Sequence, residues 1–111
     1  MKKLFLDDIR DPKWVYDQIE AHDFVVVRNH NEFIDYIKLN GLPDFISFDN
    51  DLGMDDKGVI ALDGFAIAKW LVYESGLDLR NLKFKVHSAN PVAAEQIKGL
   101  LNNYIKFLKE Q

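Results

Sequence analysis

Two periodicities alternate along this chain. Residues 3–6, 24–27, 45–48 and 82–86 form short runs rich in aromatic, β-branched or alternating apolar residues, and they read as strands. Between them, apolar positions recur at helical spacing. Asp11-Pro12 is a helix start that leads into Trp14, Val15 and Ile19. Asn31 can cap a helix carrying Phe33, Ile34 and Ile37, with Gly41 as its stop. Residues 65–75 place Phe65, Ala68, Leu71 and Val72 on one face and end before Gly76. Asn90-Pro91 opens the last helix, whose stripe is Ile97, Leu100, Leu101, Tyr104, Ile105 and Leu108.

The predicted order is β-α-β-α-β-α-β-α. Such alternation implies an α/β fold with a mainly parallel sheet and right-handed crossovers. Ligands of such sheets bind outside the carboxyl ends of the strands. Three predicted strands end in polar sequence: Asp7-Asp8-Ile9-Arg10, Asp49-Asn50-Asp51-Leu52-Gly53 and His87-Ser88-Ala89-Asn90. The topology brings them to one edge.

Composition sharpens that picture. The chain has 111 residues, no Cys and a net charge of −4. One domain is the expectation, and disulfides, thiolate zinc sites and Cys nucleophiles are excluded. An acidic balance argues against bulk nucleic-acid binding. Lys2 and Lys3 before Leu4-Phe5-Leu6 imitate a signal peptide, but Asp7 and Asp8 end the run too early. No apolar run approaches the roughly 18 residues that span a bilayer, so a cytoplasmic protein is expected. Of the 18 acids, thirteen are Asp and five Glu, and eight of the Asp lie in two stretches.

That clustering has a chemical reading. Asp7, Asp8, Asp49 and Asp51 at converging strand ends repel one another unless a cation or proton intervenes. Mg²⁺ suits oxygen ligands and leaves positions open for a phosphate. Any one of these Asp alone is more simply a strand end or turn cap. Arg10 can fork onto a phosphate, or equally lock a neighbouring carboxylate. His87 is the side chain best suited to general acid–base work near neutrality. Ser88 can hydrogen-bond a phosphoryl oxygen, and the helix start at Asn90 can favour an anion; both also serve as plain loop and cap residues. Trp14, Trp70 and Tyr104 are expected in the core. Lys13, Arg28 and Lys57 are weaker candidates for the border of the site.

The layout resembles a response-regulator receiver: a double Asp after the first strand, Asp ending the third, Ser after the fourth, and Asp63-Gly64 before the third helix. The fifth strand with its Lys is missing from the pattern, and His87 is foreign to it. A fuller resemblance is to the cyclic-phosphate-processing receiver domains. It rests on Leu6-Asp7-Asp8-x-Arg10-x-Pro12-x-Trp14, Arg28, Ser47-x-Asp49-x-Asp51-Leu52-Gly53, Gly64, Trp70 and His87-Ser88-Ala89-Asn90-Pro91. Asn50 departs from it, standing where His is expected.

The resemblance implies a receiver- or flavodoxin-like three-layer α/β/α fold over residues 1–111, truncated to about four strands. It also implies metal-dependent handling of cyclic phosphates on RNA ends or nucleotides. Asp7, Asp8 and Asp49 would hold Mg²⁺ or a similar divalent ion, and Asp51 would position water or complete the metal shell. Arg10, Ser88 and Asn90 would bind substrate, and His87 would protonate the departing oxygen. The alternative is a non-enzymatic receiver-like module that binds a metal and a phosphorylated ligand or partner. Asp49-Asn50-Asp51 also fits the Asp-x-Asp of haloacid-dehalogenase-type phosphatases, but that motif normally opens its chain and precedes a longer domain.

Overall fold

The sheet is parallel throughout, as the alternating pattern requires. A computed structural model describes residues 2–49, 63–88 and 90–111. The strands are β1 (Lys3–Leu6), β2 (Phe24–Val27), β3 (Phe45–Phe48) and β4 (Lys83–Val86). Among the described residues they form one sheet in the order β2-β1-β3-β4. The helices are α1 (Gln18–Ala21), α2 (His30–Asn40), α3 (Gly64–Tyr73) and α4 (Pro91–Lys109), with a 3₁₀ turn at Pro12–Trp14.

Register assigns each strand residue to a face. Leu4 pairs with Val25 and Ile46, and Leu6 with Val27 and Phe48. Leu4, Leu6, Ile46 and Phe48 pack with Phe33, Ile34 and Ile37 of α2, Ile67, Ala68 and Leu71 of α3, and Ile97, Leu101 and Ile105 of α4. This is the main core. The other face carries Phe5, Phe24, Phe45 and Ser47, because successive strand residues point to opposite sides. The first crossover runs along the sheet in the opposite sense to the later ones, so right-handedness sends it to this second face. Its cover is small: Tyr16 stacks on Phe24 at 5.4 Å, and Phe24 meets Phe5 and Phe45 edge-on at 5.7 and 6.0 Å.

The helix expected from Asp11-Pro12 is instead the 3₁₀ turn followed by the single turn of α1. Asp11 makes no side-chain cap, because its carboxylate accepts from the Arg28 guanidinium at 2.7 Å. Without that cap the helix does not propagate. Trp14 consequently lies on the outside, 59% exposed, not in the core. Trp70 and Tyr104 pack against the core as expected.

The cap of α2 is Asn29, not Asn31. Its side-chain oxygen accepts from Glu32 N–H at 2.8 Å, and the Glu32 carboxylate accepts from the Asn29 amide and from Arg28 N–H. This is a reciprocal pairing close to a capping box, two residues earlier than expected. Gly41 ends α2 with φ +80°, where its N–H donates to Ile37 O at 2.8 Å. Asp63 caps α3 through Ala66 N–H, and α4 begins at Pro91 as expected.

Two substitutions check this architecture by urea denaturation. Leu101→Ala, at a fully buried position of α4, costs about 2–5 kcal/mol. Gly41→Ala costs about 1–2 kcal/mol, because it forces a Cβ into the left-handed region. Equal stabilities for wild type and Leu101→Ala would contradict the assigned core.

Candidate functional site

Parallel pairing continues one residue beyond the strands, and this lines up the site. Asp7 N–H donates to Val27 O, Asp49 N–H to Leu6 O and His87 N–H to Phe48 O, at 3.2, 2.9 and 2.8 Å. Strand alternation puts Asp7 on the face of Phe5, Asp49 on that of Ser47, and His87 on that of Lys85. All three lie on the thinly covered face.

The centre is the Asp7 carboxylate, 1% exposed. Its Oδ1 accepts from the N–H groups of Ile9 and Arg10 at 2.9 and 2.8 Å. Its Oδ2 accepts from Arg10 Nε at 2.8 Å and lies 3.0 Å from His87 Nε2. Burial is the largest influence and pushes the Asp7 pKa up. The two backbone donors, the Arg10 charge and His87 together outweigh it and hold the group below the usual carboxylate range.

Arg10 also reaches Asp49 Oδ1 at 3.4 Å, and Asp49 is 5% exposed. Asp8 stands beside them, half-buried. Burial and the neighbouring Asp7 carboxylate push its pKa up, against the pull of its own backbone N–H and Arg10. One oxygen from each of Asp7, Asp8 and Asp49 lies within 4.8 Å of the others. A trio of hard oxygen donors at this spacing fits a divalent cation such as Mg²⁺. Arg28 braces the turn from behind, donating to Asp7 O, Arg10 O and Asp11 Oδ1 at 3.3, 2.7 and 2.7 Å.

His87 lies beneath the acids, its side chain 4% exposed and its ring stacked on Phe5 at 4.5 Å. Nδ1 is 2.6 Å from Ser47 Oγ, which is 2.7 Å from the Tyr16 hydroxyl. Burial lowers the His87 pKa despite the opposing pull of Asp7. An ionised Asp7 only accepts, so His87 Nε2 carries the proton. In the neutral ring Nδ1 then accepts from Ser47, and Ser47 accepts from Tyr16. A single chain of donors runs Tyr16, Ser47, His87, Asp7.

The structure therefore brings together Asp7, Asp8, Asp49, Arg10 and His87. Asp51, with Asn50, Gly53 and Lys57, lies outside the described residues, as does Ala89. Ser88 and Asn90 are engaged locally. Asn90 N–H donates to Ser88 Oγ, and Asn90 Oδ1 accepts from Val92 and Ala93 N–H. Ala94 N–H donates to Asn90 O, and Pro91 has no N–H, so the donors of residues 90–94 are spent on the cap. Sequence reasoning assigned no role to Tyr16 or Ser47. The strand parity Ser47-x-Asp49 points to Ser47, whereas nothing local marks Tyr16.

The family model described as the cyclic-phosphate processing receiver domain matches residues 2–103. No curated protein matches the sequence. Two similar solved structures cover nearly the whole chain at 15% identity. One is a fusion carrying a yeast Spc42 trimeric coiled coil, with TM-score 0.58 over 98% of this chain and 81% of that one. The other is the N-terminal domain of a response regulator/sensory box/GGDEF three-domain protein from Carboxydothermus hydrogenoformans, with TM-score 0.56 over 99% and 98%. The second likeness shows the receiver fold. Among the described residues, no helix is long and apolar enough to cross a membrane.

The perturbed groups dictate a pH signature for the metal-free protein. His87 has a lowered folded pKa, so the unfolded state takes its proton first as pH falls below about 6.5. Stability contributed by the neutral ring is present above that pH and is lost on acidification toward the folded pKa. Asp7 adds a second loss below about pH 4, because its folded pKa is also lowered. Asp8 has the opposite sign: its raised pKa makes ionisation a cost at neutral pH. Urea midpoints against pH should show Asp8→Asn stabilising the metal-free protein at pH 7. Asp7→Asn should flatten the acid limb. An unchanged acid limb in Asp7→Asn would refute the assignment.

Proposed function

This chain belongs to the cyclic-phosphate processing receiver family, and from that premise we propose that it is a metal-dependent phosphoesterase. Its substrates are cyclic phosphates on RNA ends or nucleotides, opened by water to a phosphate monoester. The observation that carries this reading is the trio Asp7, Asp8 and Asp49, with oxygens within 4.8 Å at the carboxyl end of the sheet. These residues would hold Mg²⁺ or a similar ion, which supplies charge neutralisation at the phosphate and acidifies water.

The chain's own groups divide the remaining work. Arg10 is anchored through Nε on Asp7 and remains partly exposed, so its guanidinium is available to a phosphoryl oxygen at the rim of the acids. The exhausted donors of residues 90–94 support giving the anion to Arg10 rather than to the start of α4. His87 acts through Asp7. Its Nε2–H fixes Oδ2, and the chain from Tyr16 and Ser47 fixes the tautomer. Asp51 is the carboxylate proposed to orient water, on the strength of its motif. A cytoplasmic setting belongs to the same proposal.

Burial of His87, with both ring nitrogens engaged, gives weight to the second reading: a module that binds metal and a phosphorylated ligand without turnover. Incubation with Mg²⁺ and 2′,3′-cyclic nucleotides, followed by ³¹P NMR, separates the two. Turnover should fall to background in Asp49→Ala and by about 10–100-fold in His87→Ala. His87→Gln, which restores an N–H toward Asp7, should recover most of it; an inactive Gln variant with metal binding intact would instead make His87 the proton donor. Metal-dependent ligand binding without any turnover supports the module.

Mg²⁺ should also raise the melting temperature of the wild type, by about 2.7 kcal/mol in stability at a hundred times its Kd. The same titration should leave Asp7→Asn unmoved. Stabilisation of both proteins alike would reject the acidic trio as the metal centre.

A further inference from the structure

Among the described residues β4 is an edge of the sheet, and its register with β3 tells which of its backbone groups are open. Lys83 N–H donates to Asp44 O and His87 N–H to Phe48 O, both toward β3. Alternate residues of a strand turn their N–H and C=O to opposite sides, so those of Phe84 and Val86 point away from β3. Between that edge and α4 runs a groove of about 570 Å³. Its walls carry Lys83 and Lys85 from β4, and Lys98, Asn102, Ile105 and Lys109 from α4. Lys83 and Lys85 stand on the thinly covered face of this edge, with Lys85 6.0 Å over the Tyr16 ring, and Lys98 and Lys109 stand on the α4 side, with Lys98 3.7 Å from Glu95. Four exposed lysines thus flank this edge, two on each side, in a protein whose net charge is −4.

We infer that this groove docks an acidic, extended segment of a partner protein, which adds to β4 as a further strand. Open N–H and C=O groups on the same edge call for a partner that both accepts and donates, which a peptide backbone does. A phosphodiester backbone accepts only, and would leave the carbonyls of Phe84 and Val86 unmatched. A second copy of the chain is disfavoured by charge, because antiparallel β4–β4 pairing sets Lys83 and Lys85 against their own counterparts. The groove also specifies side chains. On the face of Lys83 and Lys85 the added strand carries Asp or Glu. On the face of Phe84 and Val86 it carries apolar residues that cover Ile105, with Lys98 and Lys109 at the rim.

The probe is a labelled synthetic peptide of about nine residues alternating Glu with Val or Ile. Its comparators are the same composition interrupted by proline, the Lys-for-Glu peptide, and a single-stranded oligoribonucleotide. Fluorescence anisotropy should show saturable binding of the acidic alternating peptide alone. Hydrogen exchange should show new protection at the amides of Phe84 and Val86. Lys83→Glu with Lys85→Glu, both at exposed positions, should weaken binding about tenfold or more, whereas Asp49→Ala should leave it unchanged. Equal binding of the proline peptide would reduce the groove to a diffuse basic patch and overturn the inference. Tighter binding of the oligoribonucleotide, self-association through β4 in sedimentation, or no peptide binding would overturn it as well.

Discussion

The structure turns on one buried carboxylate. Taking a carboxylate out of water costs several kcal/mol unless donors replace its hydration. Asp7 meets that demand with two backbone N–H groups, the Arg10 guanidinium and His87. Each donor constrains something else. The backbone pair sets the tight turn after β1, and Arg10 is drawn across the strand ends toward Asp49. His87 is pinned flat against Phe5, its second nitrogen committed to Ser47 and, through it, to Tyr16. Arg28 closes the arrangement by holding the carbonyls of Asp7 and Arg10.

Repulsion among the acids is the opposing term. Arg10 offsets part of it by standing between Asp7 and Asp49, while burial, with the Asp7 charge added, still holds the Asp8 pKa above the usual carboxylate value. A centre of this kind stores unfavourable charge that a divalent cation would relieve, which links the stability of the fold to the proposed chemistry. The acidity is also local. Lysines flank the β4 edge of the sheet, Lys83 and Lys85 on one side and Lys98 and Lys109 on the other.

Most of the architecture was legible because each strand is short, apolar or alternating, and closed by a polar residue. Each long helix carries a cap signal and a stripe of its own. The misread places have specific causes. Asp11 has the chemistry of a cap, but Arg28, seventeen positions away, takes its carboxylate. The helix therefore shrinks and leaves Trp14 in solvent. Asn29 was recoverable locally, since Glu32 three residues on pairs reciprocally with it. At the end of β4, Ser88 accepts from Asn90 N–H and Asn90 caps the last helix. A cap and an anion site need the same donors, and in this turn the cap has them.

The sequence by itself determined the alternation of strands and helices, and hence the convergence of Asp7, Asp8, Asp49 and His87. A parallel sheet with right-handed crossovers leaves its carboxyl strand ends no other meeting place. Only the tertiary structure decided what each of these groups does there. It set His87 beneath the acids, tied it to Tyr16 through Ser47, and engaged the N–H groups at the start of the last helix within their own turn. Those outcomes depend on which groups compete for one hydrogen bond across distant elements, and local sequence carries no record of that competition.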